Sequence, residues 1–391
     1  MKKLFPLVVL FLFLKIFILP GQQNGMITLG SERLDILLPL LEQKRVALIV
    51  NHTSVVGKEH VHLIDTLLGV GVNITKIMVP EHGFRGTGDA GQTIKDGKDI
   101  KTGIPIVSLY GSEKKPAPQH LKDVDAIVFD IQDVGARFYT YISTMHYAME
   151  AAAENNLLFV VCDRPNPKDF VDGPVLEKDC RSFIGVHPIP VLHGLTVGEL
   201  ALMINGEGWL KNAVRCNLRV IPMRDWQHGM HYSLPVNPSP NLCSDQAIAW
   251  YPSLCLFEAT IMSVGRGTDF PFEMVGYPQR NFGKFSFIPR PKQGASNPLH
   301  KGKKCYGIDY RQRQAPQGFS LAPIIHFNRI AAANGMRLIN RKRTFELLIG
   351  NRRTAKQLAR GLSESEIRKT WEPSLRSYKE LRKSYLLYPE Y

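Results

Sequence analysis

The sequence predicts an α/β protein built on a Rossmann-like, doubly wound, mostly parallel sheet, with a smaller C-terminal α/β domain. Two observations support this fold class. From about residue 44 onward, short apolar runs alternate with amphipathic stretches, which is the βαβ rhythm of a parallel sheet. Acids, amides and imidazoles follow four of the apolar runs, and such residues gather at the carboxyl edge of an open α/β sheet.

The elements follow one another along the chain. The apolar runs predict strands over residues 45–50, 74–79, 104–109, 126–131, 157–162 and 218–222. The amphipathic stretches predict helices over residues 61–69, 140–155, 196–206, 321–334 and 354–362. A last helix begins at Ser363, where Glu366 completes a capping box. We therefore predict a Rossmann-like catalytic domain over residues 26–280 and a smaller α/β domain over residues 281–391 that completes a cleft.

The first 25 residues have the pattern of a targeting segment. Lys2 and Lys3 precede an apolar core over residues 4–14, and Lys15 then interrupts the apolar run. No clear small-residue cleavage site follows, so a cleaved signal peptide and an uncleaved N-terminal anchor both stay open. Either one predicts an exported protein, periplasmic or extracellular, that meets a membrane only through this segment.

Composition excludes several classes of function. The 391 residues carry 49 Lys and Arg against 35 Asp and Glu, a formal net charge of +14. No zinc-finger or RNA-binding signature accompanies this charge, so we expect no nucleic-acid partner. A solvated basic face and binding to an anionic polymer such as the bacterial cell wall both stay open.

The sequence also lacks the motifs of cofactors and metals. Because no Rossmann GxGxxG or Walker motif opens a helix, we expect no nucleotide cofactor. The six cysteines show no CxxC spacing, and the histidines lack HxH and HExxH spacings, so we expect no metal site. One or two disulfides stay open, and Cys162 inside a predicted strand is expected to be a buried thiol. The absence of GxSxG disfavours serine-hydrolase chemistry.

Glu81 is the best acid–base candidate. It follows the predicted strand 74–79, and Gly83 and Gly86 allow the chain to turn tightly after it. Glycoside hydrolysis typically uses two carboxyl groups, one of which protonates the leaving oxygen. The alternative is a structural carboxylate that caps a helix or pairs with Arg85.

The second carboxylate is left open among the remaining acids of the strand ends and the loop-rich middle. The candidates for a catalytic role are Asp133, Glu258 and Glu273, with Asp130 as a further competitor. Each of them is also a plausible cap or salt-bridge partner, and sequence supplies no distances between them.

Substrate-binding candidates lie in the same loops. Arginine forks match carboxylates with two parallel hydrogen bonds, and aromatic rings can stack on a sugar face, although many aromatic residues belong to a core. The polar strand ends add amides, imidazoles and an acid. The predicted substrate-binding residues are Asn51, His52, His82, Arg85, Arg137, Tyr139, Asp163, Arg164, Asn241 and Arg266.

Seven segments in a fixed order resemble one known family, the NamZ-type exo-β-N-acetylmuramidases, long described as a domain of unknown function. The segments are residues 51–54 (NHTS), 80–86 (PEHGFRG), 130–141 (DIQDVGARFYTY), 163–167 (DRPNP), 238–241 (PSPN), 265–268 (GRGT) and 385–389 (YLLYP). Each is modestly specific alone, whereas the ordered set, from about residue 28 to the end, is highly specific.

The resemblance implies an exo-acting glycosidase that releases N-acetylmuramic acid from the non-reducing ends of peptidoglycan fragments. It implies a cleft between a Rossmann-like domain and a smaller domain, with Glu81 at the catalytic Glu position, and it leaves the second catalytic residue open. A non-catalytic exported protein that binds peptidoglycan or a sugar is the main alternative, and an amidase or esterase is a third.

Overall fold

The computed structural model describes residues 27–85, 89 and 96–390. The predicted targeting segment and Gly86 lie outside the described residues. Within the described part of the chain, no helix has the length and apolar character needed to cross a membrane.

In chain order the strands are β1 Val46–Val50, β2 Val55–Val56, β3 Val61–His62, β4 Ile74–Val79, β5 Gly97–Lys98, β6 Pro105–Ser108, β7 Ala126–Asp130, β8 Leu158–Cys162, β9 Val171–Asp172, β10 Leu192–His193, β11 Asn217–Ile221, β12 Met274–Tyr277, β13 Phe285–Phe287 and β14 Cys305–Asp309. Six of the strands (β1, β4, β6, β7, β8 and β11) match the predicted apolar runs with ends that differ by at most one residue, and the other described strands were not predicted.

The predicted helices are present with similar bounds, and several further ones join them. In chain order the α-helices are α1 Leu34–Leu41, α2 Leu63–Gly69, α3 Pro118–Leu121, α4 Tyr141–Glu154, α5 Val197–Gly206, α6 Asp245–Leu254, α7 Ala322–Ala333, α8 Lys342–Ile349, α9 Arg353–Ala359, α10 Glu364–Lys369 and α11 Glu372–Arg382. Short 3-10 helices include Cys255–Ala259, which follows α6 directly.

The central sheet confirms the doubly wound prediction. Its described strands lie in the order β11-β8-β7-β1-β4-β6-β5, and all neighbours are parallel except the antiparallel pair β5 and β6. The chain builds outward from β1 through β4 to β6, returns to the other side of β1, and continues through β7, β8 and β11. The strand order therefore reverses at β1, and ligands of such sheets bind outside the carboxyl ends of the strands at this point.

The central strands are buried on both faces, which explains their unbroken apolar sequences. In β1 every residue is buried, and side chains alternate between two cores because successive residues of a strand point to opposite faces. Ala47 and Ile49 belong to the larger core, whereas Val46, Leu48 and Val50 belong to the second one.

A three-stranded antiparallel sheet in the order β12-β14-β13 lies in the C-terminal part of the chain. Its strands come from both sides of residue 280, and the division into two domains at that residue stays a prediction. Helices α7 to α11 follow it, and Phe327, Phe345 and Trp371 join the larger core from this part.

The predicted last helix is two separate helices in the structure. The capping box at Ser363 is confirmed, since its side chain accepts from the Glu366 backbone N–H. The helix stops at Lys369, however, and a separate helix begins at Glu372 because Pro373 fits the first turn of a helix but not its interior.

All six cysteines lie within the described residues and are free thiols. Cys243 is exposed and the other five are buried. None of the six forms a disulfide in this structure. The prediction of a buried Cys162 is confirmed.

Candidate active site

A cleft of about 1060 Å³ lies where the strand order reverses. One wall of the cleft contains the residues directly after β4 and those directly before α4. The other wall comes from the 3-10 helix after α6, the loop around residues 294–303 and the start of α8. Both halves of the chain therefore contribute to it. Six of the predicted site residues line this cleft, namely Glu81, His82, Tyr139, Asn241, Glu258 and Arg266.

Glu81 projects from a rigid position two residues after β4. Its Oε2 accepts a hydrogen bond of 2.8 Å from the Thr140 hydroxyl just before α4. The Tyr110 hydroxyl is a second partner, and burial together with the nearby Glu81 charge raises the pKa of Tyr110. Two hydroxyls, one from the loop after β6 and one from the start of α4, thus contact one half-buried carboxyl group in the cleft.

The chain turns sharply directly after Glu81. His82 has a φ of 70° and Gly83 a φ of 73°, so both residues are in the left-handed region. The predicted turn at Gly83 is therefore present, and it is closed by a 3.1 Å bond from its N–H to the Pro80 carbonyl. A non-glycine residue in this region is uncommon and often marks a functional site, and His82 is buried while still lining the cleft.

Two tyrosines give the cleft an aromatic floor. The rings of Tyr139 and Tyr141 meet edge to face with centroids 4.8 Å apart. Both hydroxyls donate to the Pro238 carbonyl, at 2.7 and 3.2 Å. Burial raises the pKa of both groups, which therefore stay neutral donors. Tyr139 thus lines the cleft with a ring that is also part of the core, and its contact with substrate stays a prediction.

Glu258 is the other predicted catalytic carboxylate that lines the cleft. It forms an ion pair with Arg266, whose ring-facing guanidinium carbon lies 5.1 Å from the Phe272 centroid. Burial alone would lower the pKa of Arg266, but the Glu258 charge outweighs it and the pKa is raised. Glu258 and Arg266 therefore act as a unit on the wall formed by the C-terminal half.

The remaining two carboxylate candidates lie behind the cleft surface. Asp133 is buried, where its Oδ2 accepts from the Gly135 N–H at 2.8 Å and contacts His193 Nε2 at 3.2 Å. Glu273 is buried as well and accepts from the Ser244 hydroxyl at 2.6 Å. The structure does not bring these two acids to the cleft lining with Glu81, and catalytic roles for them stay a prediction.

Two predicted arginines are enclosed in the fold. Arg137 is fully buried and donates to the carbonyls of Pro174, Ile189 and Leu348 at 2.8–2.9 Å. Because Leu348 belongs to α8, this side chain ties the loop after β7 to the C-terminal helices. Burial lowers the pKa of Arg137 to about 9. Its position gives no support to the predicted contact with substrate.

Arg164 likewise faces inward. Its Nε and Nη2 donate to the two oxygens of Asp130 at 2.6 and 2.8 Å, and Nη2 also reaches the Val55 carbonyl. Both partners are almost fully buried. Arg164 therefore binds a carboxylate with two parallel hydrogen bonds, as the sequence suggested, but that carboxylate is Asp130 of the protein itself. Arg85 similarly pairs with Asp99 at 3.0 Å, with most of its own side chain exposed.

The polar residues of other strand ends mainly hold loops together. Asn51 accepts from the Thr53 N–H at 2.9 Å, and His52 Nε2 contacts the Asn237 carbonyl at 2.8 Å. Asp163 is fully buried and accepts from backbone and hydroxyl groups, and it lies away from the cleft lining. Asn241 lines the cleft and donates to the Gly294 carbonyl at 2.8 Å.

The structure adds cleft residues that sequence reasoning missed. Tyr110 comes two residues after β6, so the strand-end rule that selected Glu81 would also have found it. Asp89 lines the cleft and accepts from the Ser296 N–H at 2.8 Å. Phe183 and Ile184 line it as well, and no periodic or motif signal marks them in the sequence. Among the described residues, no group of three or more His, Cys, Asp or Glu side chains converges to hold a metal.

The fold and the cleft together define a class of protein. A doubly wound sheet presents two carboxyl groups and several phenol groups in one cleft, and a pair of carboxyl groups is what most carbohydrate-cleaving enzymes use. Family models agree: the N-terminal domain of exo-β-N-acetylmuramidase NamZ matches residues 46–246, and the C-terminal domain matches residues 249–388. The chain belongs to this family and is a glycosidase.

Individual relatives cover nearly the whole chain. The peptidoglycan β-N-acetylmuramidase NamZ of Bacillus subtilis strain 168 is 36% identical over 395 residues, which cover 91% of this chain and 90% of the relative. Two crystal structures of DUF1343 family proteins from Bacteroides fragilis NCTC 9343 share the fold. One has a TM-score of 0.85 at 39% identity, the other has 0.80 at 31%, and each alignment covers 93% of this chain and 99% of the relative.

Proposed function

We propose that the protein is an exo-acting hydrolase that releases N-acetylmuramic acid from the non-reducing ends of peptidoglycan fragments, with Glu81 as the proton donor. The observation that carries the proposal is the placement of Glu81. It is held two residues beyond a buried strand, it lines the cleft, and the Thr140 and Tyr110 hydroxyls orient it. The similar Bacillus subtilis protein, named as a peptidoglycan β-N-acetylmuramidase, supports the substrate class.

The chemistry follows from the position of this acid. Protonation of the glycosidic oxygen by a fixed carboxyl group turns the leaving sugar into a neutral alcohol while positive charge develops at the anomeric carbon. A second carboxylate then stabilises that charge, attacks the carbon or activates water. Glu258 is the best placed for this role because it lines the same cleft, where it pairs with Arg266.

The charge of one cleft wall suits an anionic sugar. N-acetylmuramic acid differs from N-acetylglucosamine by a lactyl carboxylate, and cations near the cleft would favour it. Residues 274–308 contain no Asp or Glu, and their seven basic residues are Arg280, Lys284, Arg290, Lys292, Lys301, Lys303 and Lys304. Lys301 and Lys303 line the cleft, together with Arg266 and Arg341 from neighbouring segments.

We also propose that the chain acts outside the cytoplasm. The basis is the sequence of residues 1–25, with two lysines before an apolar core.

One assay tests the proposed activity and separates it from simple binding. The purified chain is incubated with a chromogenic β-N-acetylmuramide and, in parallel, with the matching β-N-acetylglucosaminide. We expect turnover of the muramide and little turnover of the glucosaminide. Equal turnover of both sugars would contradict the selectivity, and binding of the muramide without turnover would favour a non-catalytic peptidoglycan-binding protein.

A further inference from the structure

One stretch of the chain carries many cations and no acid. Residues 274–308 contain seven Lys or Arg and no Asp or Glu, and all seven basic residues are exposed. The ion pairs of the described residues include only one of the seven, Lys292, which pairs with Asp269. The other six form what we call the basic surface, namely Arg280, Lys284, Arg290, Lys301, Lys303 and Lys304.

One part of the basic surface lies on the three-stranded sheet. The Arg280 guanidinium carbon and Lys304 Nζ lie 5.9 and 5.6 Å from the centroid of the same ring, that of Tyr306. Lys284 directly precedes β13, and Lys304 directly precedes β14, the strand with which β13 pairs. The sheet therefore presents these three cations together.

The other part of the basic surface borders the cleft. The Gly302 N–H donates to the Pro289 carbonyl at 2.8 Å, which holds Lys301 and Lys303 beside Arg290. Lys301 and Lys303 also line the cleft. The basic surface is therefore continuous from the three-stranded sheet to the cleft.

The basic residues of the C-terminal helices are arranged differently. Arg352 pairs with Asp179 at 2.7 Å, and Lys383 pairs with Glu380 at 2.8 Å. Each of five others also has an acid as its partner, namely Arg343, Arg353, Arg368, Arg376 and Arg382. Mixed signs of this kind are typical of a solvated surface, whereas a surface of one sign repels itself. The basic surface therefore indicates a negatively charged partner.

The arrangement of the cations indicates a polymer rather than a small anion. A single carboxylate or phosphate is bound best by donors that converge on one point, such as an arginine fork. The six cations are exposed and spread over several loops, so each adds a weak attraction to one of many repeated charges. Four of them, Arg280, Lys284, Arg290 and Lys304, lie outside the cleft lining, so a sugar in the cleft does not account for them.

We propose that the basic surface docks the protein on intact peptidoglycan, whose peptides and unsubstituted lactyl groups carry carboxylates along the polymer. Peptidoglycan fits better than other polyanions because the basic surface continues into the cleft, where the same polymer is the proposed substrate. The inference rests on the proposed function for the identity of the polymer and adds the surface that holds it outside the cleft. It applies to either orientation of a glycan in the cleft.

Sedimentation with insoluble peptidoglycan, purified free of phosphate polymers, tests this docking surface. The triple variant Arg280→Gln, Lys284→Gln, Lys304→Gln removes three of its charges that lie outside the cleft lining. In about 50 mM salt we expect its affinity for peptidoglycan to fall about tenfold, with an unchanged melting temperature. Binding of the wild type should also weaken as the salt rises to about 300 mM, because exposed charges are screened.

A matched variant removes the same charge from the C-terminal helices. Arg352→Gln, Arg376→Gln and Lys383→Gln alter three exposed residues, and this variant should bind peptidoglycan like the wild type. Equal losses in the two triple variants would show that only net charge matters and would overturn the docking surface. If the first variant does not fold, Lys284→Glu and its control Lys383→Glu decide by the same comparison.

The remaining outcomes separate the docking surface from the proposed function. A wild-type chain that does not sediment with peptidoglycan, or that binds polyphosphate instead, would overturn the docking surface. The proposed hydrolysis would stand, because turnover of the chromogenic muramide is measured separately. Selective loss of sedimentation in the first triple variant, together with a wild type that turns over no muramide, would support the docking surface and overturn the hydrolysis.

Discussion

The segments that follow β4 and β8 contain similar residues but differ in their burial. Each segment follows a buried parallel strand and contains an acid and an arginine within a few positions. After β4, Glu81 remains half-buried in the open cleft. After β8, Asp163 and Arg164 are sealed inside the protein, at 0% and 2% exposure.

The packing of other segments over each strand end causes this difference. At the end of β8, Asp163 accepts from the Tyr388 hydroxyl in the C-terminal tail, and from the Thr196 hydroxyl and the Gly198 N–H at the start of α5. No described segment closes the space in front of Glu81 in this way. Polar residues at a strand end therefore mark a possible site, and the coverage of that end decides between catalysis and structure.

The first and largest expected effect concerns the open strand end. Glu81→Gln is nearly isosteric but cannot deliver a proton, so kcat on the disaccharide N-acetylmuramyl-β-1,4-N-acetylglucosamine should fall by about 10²–10⁴-fold while the melting temperature stays near that of the wild type. Glu258→Gln removes the proposed second carboxylate of the cleft and should lower kcat as well. If Glu81→Gln retains turnover within about threefold of normal, Glu81 is not the acid, and the role passes to Glu258, Asp133 or Glu273.

The second prediction concerns the sealed strand end. Arg164→Met leaves Asp130 buried without its partner, and the free energy of unfolding should fall by about 3–5 kcal/mol. Urea denaturation measures this change in the free energy of unfolding, and the folded fraction of the variant should keep the wild-type kcat. The control is Arg45→Met, which breaks the exposed pair with Asp125 and should barely change stability. A stable Arg164→Met protein with weakened substrate binding would instead place Arg164 in substrate recognition.

The third prediction is a pH dependence of stability near the same sealed end. Burial alone would lower the pKa of His228, but its hydrogen bonds with Asp169 and Glu199, at 2.8 and 2.9 Å, raise it to about 9. The Arg382 guanidinium also lies 3.3 Å from Nδ1 and itself pairs with Glu390.

Because the folded state holds the His228 proton more tightly than the unfolded state, this stabilisation is complete below about pH 6.5 and is lost as the pH rises through about 9. Unfolding free energies measured from pH 6 to pH 10 should fall by about 2–3 kcal/mol over that window. His228→Gln should remove the decline, and an identical decline in that variant would show that another group causes it.

The smallest expected effect returns to the open end. Thr140→Val removes the hydroxyl that orients Glu81, and kcat should fall by about two- to tenfold, with a changed pH–rate profile. Thr140→Ser keeps the hydroxyl and should restore both kcat and the profile. If Thr140→Val matches the wild type in both, the hydrogen bond does not orient the acid during turnover.

Several parts of the site were within reach of the sequence. Glu81 was found because a strand, a proline and two glycines are local signals, and the turn at Gly83 followed from the same stretch. Tyr110 was within reach of the same strand-end rule. Phe183 was not, because its neighbours Tyr110 and Tyr147 are distant in sequence and meet it only in the folded chain.

The sequence by itself determined the doubly wound sheet, the positions of its strands and the placement of Glu81 at a carboxyl edge. These features depend on apolar periodicity and turn residues, which act over a few positions. Tertiary structure alone decided which strand ends stay open. Arg164 is hydrogen-bonded to Asp130, 34 residues away in sequence, and Asp163 is hydrogen-bonded to Tyr388, 225 residues away. Local spacing does not encode such partners, because they are chosen by how the remote segments pack around the core.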